Sequence, residues 1–405
     1  MGSEAQKSKP TNMKLPVQRR LMSRRLLLRA DIATAILAII PLGAELRIED
    51  ADQPLSNNWS QIPIEPRGPT LLGISFRPNN ARAFGLEIRP TLNTLLEYPI
   101  QIVRLGAYWN KIELSGDQFD TSELDWQIDT VEKAGAKIIL CVGALKTFGF
   151  PEYYIPQHYM LKPFADGTLI TPTTKPGLLN AAKNFVFRIV DRYKLRKSIV
   201  AWQLENEPAD PLTFAHFWRI SADFVKQELD ALRASDTSRP VMINGGFIPS
   251  LSVRIGKAWL TRDQGDSLAL AKEVSNIIGV DYYPRIAISS LASKTIYLDT
   301  TKVPWGQGDR DNLAKWARSH GQQFMVAEGQ AEPWELTTVP PSPKTYAPYS
   351  CTPQDLIENY NFWASCEECR PLYAYLFWGA DYWVLRKNNG DQQYLSAFAR
   401  VLEHA

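Results

Sequence analysis

Two short stretches hold the residues best suited to chemistry. One is IVAWQLENEP, residues 199–208; the other is FMVAEGQ, residues 324–330. Each begins as a short apolar run with the composition of a buried strand. Each then presents a carboxylate where the strand stops: Glu207, just before Pro208, and Glu328. Pro208 has no N–H to give a central strand. A carboxylate is costly to bury unless paired or hydrogen-bonded, so a Glu at a core-strand end either caps the next helix or serves a site. Other strand ends add Asn206 beside Glu207, Arg104 and Trp109 around VRLGAYW, Tyr282 and Tyr283 in GVDYYP, and Trp378 in YLFW. Two carboxylates, an Arg, an amide, a Tyr and a Trp form an inventory for cleaving a glycosidic bond. One carboxyl protonates the leaving oxygen; the other attacks or assists from the opposite face.

Each residue also has a plainer use. Arg104 suits a structural ion pair, and Trp378 and Trp202 suit a core. Glu205 alternates with Glu207 and shares its strand face, so it either competes for the acid role or supports it. Trp109 and Trp334 are loop candidates for stacking on sugar. Gln330 and Glu332 either reach a flanking sugar or cap the next helix.

Glu207 and Glu328 are far apart in sequence, so the fold must bring them together. Apolar runs mark strands at 71–76, 101–107, 137–143, 198–207, 240–246, 276–283, 323–328 and 372–378. Amphipathic stretches mark helices at 81–96, 122–136, 177–193, 212–234, 268–275, 310–320, 353–365 and 391–403. Eight alternating βα units predict an α/β fold closed as a (β/α)8 TIM barrel, whose C-terminal strand ends converge on one mouth. An open doubly wound sheet lacks support, since no G-x-G-x-x-G follows any strand. The Pro-rich segment 339–348 reads as a long strand-to-helix loop at that mouth.

The N-terminus differs from the rest. Lys7, Lys9, Lys14, Arg19, Arg20, Arg24, Arg25 and Arg29 face only Glu4 and Asp31, so with a net charge of +2 the body is mildly acidic. That argues against a nucleic-acid partner. The string Ser23-Arg24-Arg25-Leu26-Leu27-Leu28-Arg29 followed by the apolar run 32–44 is similar to a twin-arginine export signal, cleaved or retained as a membrane anchor. The predicted organisation is a tail and signal or anchor over 1–48 and one catalytic barrel over 49–405. The chain is expected to be exported: periplasmic, extracellular or envelope-anchored. In that setting a disulfide among Cys351, Cys366 and Cys369 is expected, while Cys141 reads as core. The Cys366-x-x-Cys369 pair has no second pair or His cluster, and no H-E-x-x-H occurs, so neither a metal nor an organic cofactor is expected.

From about residue 71 to the C-terminus the chain resembles the clan A glycoside hydrolases, the retaining (β/α)8 enzymes that include family 5 cellulases and mannanases and family 42 β-galactosidases. The resemblance rests on Asn206-Glu207-Pro208 after strand four, Glu328 ending strand seven, and the second unit VRLGAYWNKIELSGDQFDTSELDWQIDTVEKAGAKIIL. It implies that Glu207 is the acid/base and Glu328 the nucleophile of a double displacement on a β-linked oligo- or polysaccharide. It further implies that Arg104 lowers the pKa of Glu328, Asn206 binds the sugar 2-OH, Tyr283 (or Tyr282) donates to Glu328, and Trp378 floors the sugar site. Retention predicts carboxyl groups ~5–5.5 Å apart. Two departures stand out. Asp281 and Tyr282 occupy the place where family 5 often carries a strand-six His, and strand three ends in Gly143-Ala144-Leu145. A non-catalytic glycan-binding barrel and a transglycosylase are the alternatives.

Overall fold

The computed structural model describes residues 45–50, 57–114, 118–160, 162, 164–174, 176–210, 217–291, 294–334 and 349–405. The signal-like segment and the 339–348 loop lie outside the described residues. Eight parallel strands close on themselves: β1 (Leu71–Ser75), β2 (Ile102–Gly106), β3 (Lys137–Cys141), β4 (Ile199–Gln203), β5 (Val241–Phe247), β6 (Ile277–Tyr282), β7 (Gln323–Gln330) and β8 (Ala374–Trp378). Each is followed by a principal helix: α1 (Ile88–Leu96), α2 (Ser122–Lys133), α3 (Pro176–Tyr193), α4 (Ala222–Ser235), α5 (Ser267–Val274), α6 (Gly306–Ser319), α7 (Pro353–Ala364) and α8 (Gln393–His404). The chain is a (β/α)8 barrel.

Strand alternation explains how this scaffold makes a site. Successive side chains point to opposite faces of a strand. Ile102, Ile139, Ala201, Met242, Ile277, Met325 and Leu376 pack together as the apolar filling inside the barrel. Two residues further along the same strands stand Arg104, Cys141, Gln203, Asn244, Ala327 and Trp378, and four residues beyond Ile277 stands Asp281. A dry floor thus carries a largely polar layer at the C-terminal mouth. The outward-facing residues, among them Val103, Leu140, Trp202, Ile243 and Val326, pack against the helices in a second, larger core.

Three departures from the sequence reading stand out among the described residues. The predicted fourth strand ends earlier, at Gln203, because the chain turns out of extended geometry beyond Leu204. Helix Leu251–Leu260 is inserted after β5. A small antiparallel sheet joins Leu46–Asp50, Lys294–Asp299 and Arg285–Leu291. Residues 45–48, placed with the tail by sequence, therefore belong to the folded body. Glu45 accepts hydrogen bonds from the Leu251 amide (2.9 Å) and the Ser252 hydroxyl (3.0 Å) at the start of the inserted helix. The Cys366–Cys369 disulfide lies between α7 and β8, with Cα atoms 5.2 Å apart. Cys141 is buried beside Phe148 and Trp378.

Candidate active site

Arg104, fully buried on β2, is the hub of the mouth. Its Nη1 donates to Glu328 (2.8 Å), its Nη2 to Asn206 Oδ1 (2.5 Å) and its Nε to Gln203 Oε1 (2.6 Å). The guanidinium also lies 4.0 Å from the centre of the Phe148 ring. Tyr283 donates its hydroxyl to the other oxygen of Glu328. Each Glu328 oxygen thus has one donor, which holds the carboxylate in one orientation. The structure selects Tyr283 over Tyr282: the Tyr282 ring stacks on Phe362, 4.9 Å between centroids, away from the mouth.

The segment after β4 is bent into place. Glu205 and Glu207 have φ of 55° and 45°, left-handed values that are uncommon for residues with a side chain and cluster at functional sites. Glu205 turns toward the end of β3 and accepts from the amides of Leu145 (2.9 Å) and Lys146 (2.5 Å). Burial pushes its pKa up to about 7, against those amide bonds. Both of its oxygens are thus spent on backbone amides beyond β3. Gly143 makes this possible: a Cβ there would sit 2.0 Å from the Glu205 nitrogen. The unusual end of strand three is therefore the seat of the strand-four turn.

Glu207 is thereby turned into the mouth. Its pKa is pushed up to about 8, by burial first; Lys146 opposes the shift and the charges of Asp210, Glu328 and Glu152 add to it. The Lys146 ammonium donates to the Glu207 carbonyl (3.0 Å), and the neighbouring Asp210 pairs with Lys257 at 3.0 Å. Two mouth carboxyls are thus differently equipped: Glu328 has two strong donors, whereas Glu207 favours its protonated form.

Asn206 Oδ1 also accepts from Asn244 Nδ2 (2.8 Å), and Gln203 Nε2 donates to Asn244 Oδ1 (2.9 Å). Gln203 and Asn244 were missed by sequence reading. The signal was present: each is an amide on the inner face of an otherwise apolar strand.

The aromatic candidates divide. Trp378, Tyr283 and Phe148 cluster at the mouth with Trp334 packed against them. The Trp334 and Tyr283 ring centres are 4.8 Å apart. Arg77 lies 4.5 Å over the Trp378 ring and is clamped by Glu332 (2.5 Å) and Asp381 (2.7 Å). Glu332 thus braces the Trp378 platform through Arg77, and Gln330 is spent on the backbone of Arg285 (2.9 Å). Trp109 is placed elsewhere. It is fully buried, donates to Glu113 (2.9 Å) and packs on Tyr159 and Phe185 behind the barrel wall. A residue three positions beyond the β2 strand end has already turned from the mouth into the first loop helix, Trp109–Ile112.

Residues 87–226 match the family model described as beta-galactosidase, Glyco_hydro_42. That span holds Arg104, Asn206 and Glu207. A beta-galactosidase of Haloferax lucentense is 26% identical over 125 residues, 29% of this chain and 18% of that one. A probable mannan endo-1,4-beta-mannosidase F of Aspergillus flavus is 24% identical over 274 residues, 64% of this chain and 52% of that one. The chain thus spans about half the length of the mannosidase and far less of the galactosidase. The fold is shared with the GH5_18 protein of Streptomyces cattleya solved with GlcNAc, at a TM-score of 0.51 and 11% identity, over 82% of this chain and 80% of that one. Over part of its length this chain is thus similar in sequence to glycoside hydrolases, and it shares the barrel fold of the GH5_18 protein.

Proposed function

We propose that this protein is a retaining β-glycoside hydrolase that acts on a β-linked oligo- or polysaccharide. The observation that carries the reading is the contrast between the two mouth carboxyls. Glu328 is oriented by Arg104 and Tyr283, as a nucleophile needs, and Glu207 has a pKa near 8, as an acid needs at neutral pH. In the first step a Glu328 oxygen attacks the anomeric carbon. The glycosidic C–O bond breaks and the leaving oxygen takes the proton of Glu207. In the second step Glu207, now a carboxylate, removes a proton from water. The water oxygen takes the anomeric carbon and Glu328 departs. Asn206, oriented by Arg104 and Asn244, meets the sugar 2-OH; Trp378 floors the sugar ring and Trp334 borders it.

The test is a panel of aryl β-glycosides, beginning with galactoside and mannoside because of the names of the relatives. Wild type should cleave at least one, Glu328→Ala should not, and azide should restore turnover with inverted product. Cleavage by Glu328→Ala without azide would refute the assignment. Sugar binding without turnover on small or polymeric substrates would favour a glycan-binding barrel, and transfer to sugar in place of water a transglycosylase. We further propose export through the twin-arginine-like segment, with the body starting near Glu45, which is tied to helix Leu251–Leu260. Mass spectrometry of the mature N-terminus checks this; an intact cytoplasmic chain would overturn it.

A further inference from the structure

Asp281 is a fully buried carboxyl at the end of β6, between Gly246 on β5 and Glu328 on β7 in the strand register. Its Oδ2 accepts from Asn244 Nδ2 at 2.7 Å. Its Oδ1 has no hydrogen-bond donor among the described residues, and the Glu207 side chain lies within hydrogen-bonding reach of the Asp281 carboxyl. The Glu207 Oε1 lies 3.4 Å from where a Cβ would stand on Gly246, the register partner of Asp281 on β5. Among the described residues no cation pairs with Asp281. Arg104 spends its nitrogens on Gln203, Asn206, Glu328 and the Ala327 carbonyl. Lys257 is paired with Asp210 and Asp266, and Lys146 with the Glu207 backbone. The hydroxyl of Tyr283 goes to Glu328.

Two adjoining carboxyls, one of them fully buried, are strongly disfavoured from both ionising; the contact is favourable only if a proton lies between them. We propose that Asp281 carries that proton at neutral pH and acts as a positioning residue, donating a hydrogen bond to Glu207. The proposal deepens the glycosidase reading and rests on it. The bond would strengthen when Glu207 gives up its own proton to the leaving oxygen, because an O–H donor to a carboxylate is stronger than one to a neutral acid. Asp281 itself transfers nothing and stays protonated through both steps. The direction of its titration agrees: burial and then the charges of Glu328 and Glu207 raise its pKa well above the ordinary carboxylate range, with Arg104 opposing. A buried neutral carboxylic acid used as a hydrogen-bond donor is known chemistry.

The test combines infrared difference spectroscopy with leaving-group kinetics. At neutral pH the wild type should show a protonated-carboxyl band that Asp281→Asn lacks. Asp281→Ala should slow aryl glycosides with poor leaving groups roughly 10- to 100-fold, the worth of one donor to a developing charge. Substrates whose leaving groups need no protonation should be slowed far less. Asp281→Asn keeps an N–H donor and should recover most of that loss, with the basic limb of its pH profile close to wild type. No difference in the carboxyl band would overturn the proposal. So would an Asn variant as impaired as the Ala variant with its basic limb moved to lower pH, since that is the signature of an ionised Asp281. If the wild type cleaves nothing, the functional reading falls, and the infrared difference still decides whether Asp281 holds a proton.

Discussion

The Arg104–Glu328 pair offers the sharpest test of how the mouth is held together. Their side chains are 0% and 4% exposed, and the contact is 2.8 Å. Replacing Arg104 by Met keeps apolar bulk but leaves Glu328 with Tyr283 as its remaining donor, and Gln203 and Asn206 each lose a charged donor. Removing one partner of a buried ion pair costs ~3–5 kcal/mol, because the other charge stays buried without compensation. Against a typical total of ~5–15 kcal/mol, Arg104→Met should fold but unfold at clearly lower urea. Glu328→Gln removes the stranded charge. The double variant should therefore be less destabilised than the sum of the two singles, by ~2–3 kcal/mol, since contacting residues in one network couple on that scale. The remainder of the Arg104→Met loss, from the bonds to Gln203 and Asn206, should persist. The assay is urea unfolding of wild type, both singles and the double, followed by circular dichroism and tryptophan fluorescence. Additive effects, with coupling below ~0.5 kcal/mol, would mean that Arg104 does not hold Glu328 electrostatically.

Further outcomes follow from the same geometry. In the proposed mechanism Glu207 donates a proton, and burial pushes its pKa up to about 8, so kcat/KM should fall as pH rises through that value. Stopped assays across the basic range check this, and a limb near ordinary carboxylate values would refute it. Glu228 on α4 is buried and has its pKa raised well above the usual value, by burial and then by the Glu205 charge. A raised folded pKa means stability that is full below the unfolded value of ~4.3 and lost as pH rises toward the folded one, so Glu228→Gln should gain urea resistance over wild type as pH increases. Gly143→Ala should lower kcat ~100-fold by displacing the Glu205–Glu207 turn, with intact far-ultraviolet dichroism in the soluble fraction. Trp334→Ala should raise KM without changing urea resistance. Trp109→Ala should instead cost ~3–5 kcal/mol of stability, as its place in the outer core requires.

The sequence by itself determined the barrel and picked out residues that the fold gathers at its mouth. The reason is periodicity: eight apolar runs separated by amphipathic stretches have one economical closure. In that closure a polar residue ending an apolar strand must face the mouth. Arg104 and Glu328 were legible on that ground, and Asn206, Glu207 and Trp378 with the help of the family resemblance. Trp109 misled because the same rule fails a few residues past a strand, where a short loop helix turns the side chain back into the core.

What only the tertiary structure decided concerns neighbours brought together by closure. The choice of Tyr283 over Tyr282 depends on where β6 stops, which periodicity locates only to within a residue or two. The roles of Gly143 and Glu205 depend on the backbone of one strand end passing within contact distance of the next. The Arg77–Glu332–Asp381 clamp, the Asn244 bridge and the Asp281–Glu207 contact join residues of separate βα units. Distances between such units are set by barrel radius and strand stagger, which a one-dimensional pattern of apolar and polar residues does not encode. Hydrogen bonds are decided over tenths of an ångström, so the protonation chemistry of this mouth becomes readable only once the barrel is closed.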